Sequence, residues 1–396
     1  MNQSNFISQN TYMKPSHPVP TVSIVTPTKN RLRLLTEAMD SVAAQTNDNW
    51  EHLIVDDGSD DGTEPFVRTK AAADSRVRFI KREGTKSGAN VCRNIGIRAS
   101  RGAFVVFLDS DDLLSPDCLS DRVNIMQRNQ DLHFCIFRAG IFRIEPNDTT
   151  ILWHTQSPGS DLDRFLQHEC VWDVTGPIWR RDVFDQFGFL DDSLLSMQDF
   201  EFHVRVLAKN ASYIKQTKVD HYIRRAGREA FPMTSQRRVS DPTFLRAREA
   251  FPSYLLKLLE EGNLVTRSRR DLLAGRGFTT AQCWARIGSL YNAYRCWRIQ
   301  RRAGLPTLGV YLCGCLCLCL TRFEKSERGI LFRLVNKWMG WVRFRLESKL
   351  DQNPDEKPTC EANNIKCNGT GRSFPPISSG TSTLEPTMAA PEGSKG

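Results

Sequence analysis

Between residues 21 and 112 short apolar runs alternate with segments of helical length, and each run stops at a polar cluster; no other feature limits the possible folds of this chain so tightly. Residues 22–25 (Val, Ser, Ile, Val) form a buried-strand run closed by Thr26, Pro27 and Thr28. A helix is expected over 32–44, with Leu34, Leu35, Ala38, Met39 and Val42 on one stripe. Further strands are expected at 52–55, ending at Asp56 and Asp57, at 77–80, and at 103–108, ending at Asp109, with a helix over 88–100 before the last.

Strands separated by helices of this length imply a parallel sheet with right-handed crossovers. In such sheets ligands bind beyond the carboxyl ends of the strands. Three polar clusters end there: Thr26 to Asn30, Asp56 to Ser59, and Asp109 to Asp112. They therefore converge on one rim.

Asp109 and Asp111, spaced by one residue directly after the run Phe104, Val105, Val106, Phe107 and Leu108, are suited to holding one hard divalent cation. Such a cation bridges the phosphates of a nucleoside diphosphate and neutralises a leaving group. A turn or helix cap is the competing reading of an isolated Asp-x-Asp. The stretch 56–63, rich in Asp, Gly and Ser, equally reads as a turn in which Ser59 or Asp60 caps the next helix. A carboxylate at that strand end is also able to accept a ring N–H of a pyrimidine base.

Together these residues resemble the family-2 inverting glycosyltransferases, which have the nucleotide-sugar (GT-A) fold. The resemblance runs through residues 22–30, 38–46, 51–63, 88–102 and 108–112, and Ala89 to Gly96 looks like that family's Ala-Arg-Asn-x-Gly helix. Counted with the acceptor-side blocks further along, it covers roughly residues 20–225. It implies an α/β sheet, mostly parallel, flanked by helices. It also implies that Pro27 and Lys29 touch a nucleotide-diphosphate sugar donor, that Asp57 binds its base, and that Asp109 binds the ribose or the metal shell. Asp111 would hold Mn2+ or Mg2+ with the diphosphate, and Arg93 and Asn94 fall near the nucleotide, where capping and packing compete as explanations.

Residues 175–184 and 188–191 look like the family's acceptor-side segment. They lead to Gln198, Asp199, Phe200 and Glu201, where the family has Glu-Asp-x-Glu/Asp and uses the Asp as general base. Asp199 matches that Asp, while Gln198 departs from the pattern in a way that bears on acceptor contacts. A base is needed because an acceptor hydroxyl must lose its proton as it attacks the anomeric carbon. Direct attack inverts that carbon without a second carboxylate nucleophile. His203, four residues after Asp199, is expected to pack rather than bind metal, and His221 is a candidate third ligand with packing as its alternative. The Gln-x-x-Arg-Trp motif of processive relatives is missing, so a single addition is expected, to a saccharide or lipid-linked acceptor in cell-envelope or exopolysaccharide synthesis.

The formal charge of +9 suits an anionic partner, and residues 264–302 carry nine Arg against one acidic residue, Asp271. Binding of nucleic acid or an anionic surface without turnover is the alternative reading; no nucleic-acid module is recognisable, and no nucleic acid is expected. Residues 304–320 are apolar but too short and too interrupted to span a bilayer, and 330–346 read as an interfacial amphipathic helix or an ordinary packed one. Peripheral contact with an anionic membrane follows from the first alternative. The expected organisation is a lead-in over 1–20 and a tail over 351–396, both disordered, a catalytic domain over 21–225, and a basic helical region over 226–350. With no apolar signal core at the start and 12 cysteines without framework spacing, a reducing, cytoplasmic setting, at most on the inner face of the plasma membrane, is expected.

Overall fold

The computed structural model describes residues 19–153, 159–167, 169–225 and 240–321. The expectations for residues 1–18, 330–346 and 351–396 lie outside the described residues. The four expected strands form as β1 (Val22–Thr28), β2 (Trp50–Asp56), β3 (Val77–Lys81) and β4 (Phe104–Phe107). They pair in parallel, with Thr28 opposite Asp56 and Val25 opposite Phe107. The intervening helices are α1 (Leu32–Ala43), α2 (Thr63–Ala73) and α3 (Ala89–Ala99). The buried residues of α1 are Leu34, Leu35, Ala38, Met39 and Val42, the stripe its periodicity marks out. Each large side chain so buried is worth about 1.5–3 kcal/mol relative to exposure.

Strands β1 and β2 are longer than their apolar runs because polar side chains continue them inside the sheet. Ser23 Oγ donates to Glu51 Oε1 at 2.7 Å, and Thr26 Oγ1 meets His52 Nε2 at 2.8 Å. Burial pushes the His52 pKa down to about 3, so it packs as a neutral imidazole.

The remaining strands, β5 (Leu113–Leu114), β6 (Phe134–Phe142), β7 (Pro177–Arg180) and β8 (Tyr213–Arg224), extend the sheet to the order β3-β2-β1-β4-β7-β6-β8-β5. β7 runs antiparallel to both β4 and β6, β6 pairs parallel with β8, and β5 is antiparallel to β8, so the sheet is mixed with a parallel first half. Helices α4 (Cys118–Arg128), α5 (Asp161–Leu166), α6 (Val183–Phe187) and α7 (Gln198–Ala208) flank this half.

Beyond residue 240 lie α8 (Pro242–Glu249), α9 (Phe251–Glu261), α10 (Arg267–Arg286), α11 (Leu290–Arg302) and α12 (Leu308–Thr321). Phe251, Leu255, Leu256, Leu259 and Leu273 share one core with Phe165, Trp172, Phe200 and Val204, so these helices extend the sheet's own hydrophobic core. Trp284 and Trp297 fill a second core between α10, α11 and α12, where a Cβ on Gly314 would lie 2.5 Å from Trp297 Nε1. No helix among the described residues is long and apolar enough to cross a membrane.

Candidate active site

The parallel strands deliver the three polar clusters to one rim. Register puts Thr28 beside Asp56, and Leu108 N–H donates to the Val25 carbonyl at 3.1 Å, which carries Asp109 to the level of Pro27. Pro27 is half-buried and Lys29, just past β1, is exposed.

The Asp56–Thr63 stretch is a turn, but its cap is neither Ser59 nor Asp60. Asp56 accepts from Ser59 N–H, while Asp61 accepts from Thr63 N–H and Oγ1–H and, through its other oxygen, from Leu32 N–H at 2.9 Å. One carboxylate thus serves the first turns of both α1 and α2. Asp57 projects toward α3: its carboxylate is paired with the Arg82 guanidinium and accepts from Gly88 N–H at 3.1 Å.

At the end of β4, Asp109, Asp111 and Asp112 each bring one oxygen to within 4.8 Å of the others. Asp109 is paired with Arg93 at 2.5 Å and Asp111 with Arg31 at 2.7 Å; Asp112, 6 % exposed, accepts from Arg224 N–H at 3.1 Å. Burial raises the Asp109 pKa, Asp111 and Asp199 add like-charge repulsion, and Arg93 opposes them. Burial, then Asp111 and Asp109, likewise hold Asp112 well above the carboxylate range. Carboxylate oxygens crowded to the point of mutual repulsion are a donor set that fits a hard divalent cation.

Arg93, 5 % exposed, is held by Asn90 Oδ1 at 3.2 Å, which aims its other edge at Asp109. Asn94 is placed differently: its amide donates to the Leu190 carbonyl at 2.8 Å and accepts from Leu190 N–H at 3.1 Å. With Asn90 bonded to the Asp191 carbonyl, it joins α3 to the segment before α7. In the structure the polar atoms of Asn94 are therefore engaged in a joint between donor-side and acceptor-side segments. The glycine of this helix motif, Gly96, lies where a Cβ would be 2.2 Å from Val25 Cγ1, which is a packing requirement.

Asp199 is half-buried in the first turn of α7, where the helix N-terminus favours a carboxylate. The turn into it is forced: Met197 has φ +61°, the left-handed region that non-glycine residues seldom enter. Gln198 donates to the Leu194 carbonyl at 2.7 Å and lies 3.9 Å from the position of a Cβ on Gly88, so the start of α7 approaches the loop that holds Asp57.

His203 is 2 % exposed among Phe165, Trp172 and Trp179, with ring centroids 5.4–6.0 Å away, as the packing reading expects. His221 is fully buried, with Nδ1 2.8 Å from Asp220 and Nε2 3.0 Å from Asp173. Burial lowers its pKa, but Asp173 and Asp220 outweigh that and raise it to about 9. Both ring nitrogens thus face carboxylates, an arrangement that suits a doubly protonated ring better than a metal ligand.

Sequence reasoning assigned no role to Asp112, Arg31 or Arg224. Asp112 closes the 108–112 stretch without a pattern of its own; the two arginines carry no local signal, because their partners are 80 or more positions away.

Residues 23–187 match the family described as Glycosyl transferase family 2. The chain is 35 % identical over 189 residues to an Escherichia coli protein, the UDP-Glc:alpha-D-GlcNAc-diphosphoundecaprenol beta-1,3-glucosyltransferase WfgD, covering 48 % of this chain and 70 % of that one. It is 32 % identical over 129 residues to the GalNAc(5)-diNAcBac-PP-undecaprenol beta-1,3-glucosyltransferase of Campylobacter jejuni, covering 33 % and 41 %. Other curated glycosyltransferases are spanned over only 52–62 % of their length. Among solved structures, S. aureus TarS 1-349 in complex with UDP-GlcNAc superposes with a TM-score of 0.55 at 18 % identity, covering 82 % of this chain and 93 % of that one. That likeness establishes the GT-A fold. Taken with the WfgD relationship and the matched motifs, it leads to one conclusion: the chain belongs to glycosyl transferase family 2.

Proposed function

We propose that this chain is an inverting, metal-dependent glycosyltransferase that adds a single sugar from a nucleoside-diphosphate sugar to a lipid-linked saccharide in cell-envelope or exopolysaccharide synthesis. The observation that carries the reading is the meeting of two carboxylate groups with different tasks. Asp109, Asp111 and Asp112 crowd at the end of β4, and the start of α7, which carries Asp199, packs against the Gly88 loop that holds Asp57, so that the charge of Asp199 is felt at Asp109.

In this reading Pro27, Lys29, Asp57 and Arg93 line the donor, with Asp57 accepting from the base. Asp109 and Asp111, with Asp112, would hold Mn2+ or Mg2+, which neutralises charge on the departing diphosphate. Asp199 accepts the acceptor hydroxyl's proton as its oxygen attacks the anomeric carbon, and the bond from that carbon to the diphosphate oxygen breaks on the opposite face. Arg31, beside Asp111, stays at hand to pair with diphosphate oxygens. Positioning and fixed charge supply most of the acceleration. The choice of a lipid-linked acceptor follows the undecaprenol-linked substrates in the names of WfgD and the Campylobacter jejuni relative.

Peripheral membrane contact belongs to the same proposal. Leu308, Leu312 and Leu316 form an apolar stripe on α12, each 58–64 % exposed, and Arg298 and Arg302 on α11 are exposed cations suited to anionic headgroups. Binding without turnover is less well supported, because many arginines of the basic stretch are engaged internally: Arg269 pairs with Asp163, Arg270 with Glu260 and Arg295 with Glu249.

The test is nucleotide-sugar binding and turnover, beginning with UDP-sugars, with and without Mn2+ or Mg2+. Asp111→Asn should lose metal-dependent binding, and Asp199→Asn should keep binding and lose turnover. Absence of binding to any nucleotide sugar would refute the catalytic reading. Failure to sediment with anionic vesicles, when neutral ones are also ignored, would refute the membrane contact.

A further inference from the structure

The turn that carries Asp199 is gripped at four of its residues by side chains from beyond position 240. Arg248 Nε donates to Ser196 Oγ at 3.1 Å. Arg276 Nη2 reaches the Met197 sulfur at 3.4 Å, and its Nη1 donates to the Phe165 carbonyl at 2.9 Å. The same guanidinium lies 3.9 Å above the Phe200 ring and 5.3 Å from that of Phe251. Tyr254 O–H donates to the buried Glu201 carboxylate at 2.9 Å, and Glu201 is paired in turn with Arg205. Ser196, Met197, Phe200 and Glu201 are the neighbours of Asp199 on both sides. Asp199 itself accepts no side-chain hydrogen bond from the described residues, so its direction is set by the backbone these contacts hold.

Arg276 is an expensive way to hold that backbone. It is 5 % exposed, and burial, with Arg248 adding repulsion, lowers its pKa to about 9. Its polar partners are a carbonyl and a thioether, and it forms no ion pair with a carboxylate among the described residues. A methionine or leucine would fill the space without desolvating a charge. What the planar guanidinium adds is geometry: two donors in a fixed fork and a flat face for Phe200. They secure a turn whose Met197 is in a strained conformation.

We propose that Arg276 is a positioning residue for Asp199, and that the helices over 242–286 form part of the catalytic unit as a clamp on residues 196–201. This rests on Asp199 being the base, so the test separates the two ideas. In the full chain, Arg276→Met, Arg276→Lys and Asp199→Asn are compared for UDP affinity, turnover of the UDP-sugar that binds wild type most tightly, and amide hydrogen exchange. Arg276→Met should keep UDP affinity within about twofold and lose turnover by about 100-fold, with Arg276→Lys recovering about a tenth of wild-type turnover. Exchange should quicken over 194–203 and stay unchanged over 104–112.

Wild-type turnover in Arg276→Met alongside an inactive Asp199→Asn overturns the proposal. So does a uniform rise in exchange with binding and turnover falling together, which is the signature of a merely structural residue. Retained turnover in Asp199→Asn would instead sink the base assignment, whatever Arg276 does, and the exchange pattern would still judge the clamp. If Arg276→Met does not fold, Tyr254→Phe carries the exchange test, since its ring packing stays and only the bond to Glu201 is lost; unchanged exchange over 198–203 would then count against the clamp.

Discussion

His221 supports a stability prediction whose size follows from its surroundings. The ring lies fully buried between Asp173 and Asp220, and Asp220 is also held by a bidentate Arg122. Its pKa is raised from 6.5 to about 9. A group that binds its proton more tightly when folded contributes stability that is fully present below the unfolded pKa and lost as pH rises through the folded one. Here the window runs from pH 6.5 to about 9. A rise of about 2.5 units at 1.36 kcal/mol per unit is on the order of 3 kcal/mol. Buried thiols such as Cys92, whose pKa burial pushes to about 12, act in the same direction at the alkaline end. The quantity to measure is therefore the difference between wild type and His221→Gln. Urea unfolding at constant ionic strength, at several pH values across the window, should show wild type losing about 3 kcal/mol more than the variant over that range. Near the acid end the variant should be the less stable protein, since it leaves two buried carboxylates short of one cation. Parallel pH profiles would refute the charged-imidazolium account and reopen His221 as a neutral ring with a free lone pair.

Other outcomes follow from single contacts. Gly96→Ala should cost about 1–3 kcal/mol, read by urea unfolding, because α3 must retreat from Val25, with residual nucleotide binding showing that Gly96 is not a ligand contact. Arg93→Met should weaken binding of a metal–nucleotide complex and raise the Asp109 pKa further, since it removes the charge that opposes burial; an unchanged pH dependence of binding would contradict this. Arg31→Ala should tighten Mn2+ binding in the absence of nucleotide, read by titration of the free ion, and weaken binding of the diphosphate, because the pair with Asp111 competes with the cation. Asp61→Ala should unfasten two helix starts at once and cost about 1–2 kcal/mol or more, measured by thermal unfolding.

The first half of the sheet was legible because each element there announces itself locally. Apolar runs become β1 to β4, and the α1 stripe is the buried set residue for residue. Strand ends were clipped where Thr26 and Glu51 continue the strand as buried polar residues, bonded across it to His52 and Ser23. The second half resisted because β6 pairs with β8 at sequence separations of 79 or more and β7 inserts between β4 and β6, pairings that leave no periodic trace. At the site, motif residues were recognisable and their partners were not. Asp109 and Asp111 lie in a pattern, whereas Arg31, Arg224 and Arg276 acquire meaning only from contacts made through the fold. Asn94 shows the converse, a motif residue that the structure gives to Leu190.

The grip on residues 196–201 also bears on how members of this family can be recombined. The family match ends at residue 187, short of both Asp199 and the arginines that brace it. On the proposed roles, a chimaera joined near that boundary would take its donor rim from one parent and both Asp199 and its proposed braces from the other, and should remain active. One joined between residues 225 and 240 would separate the base from Arg248, Arg276 and Tyr254, and would need those three side chains transplanted with it. In laboratory evolution, the usable seam lies upstream of the base, although the change in composition points downstream of it.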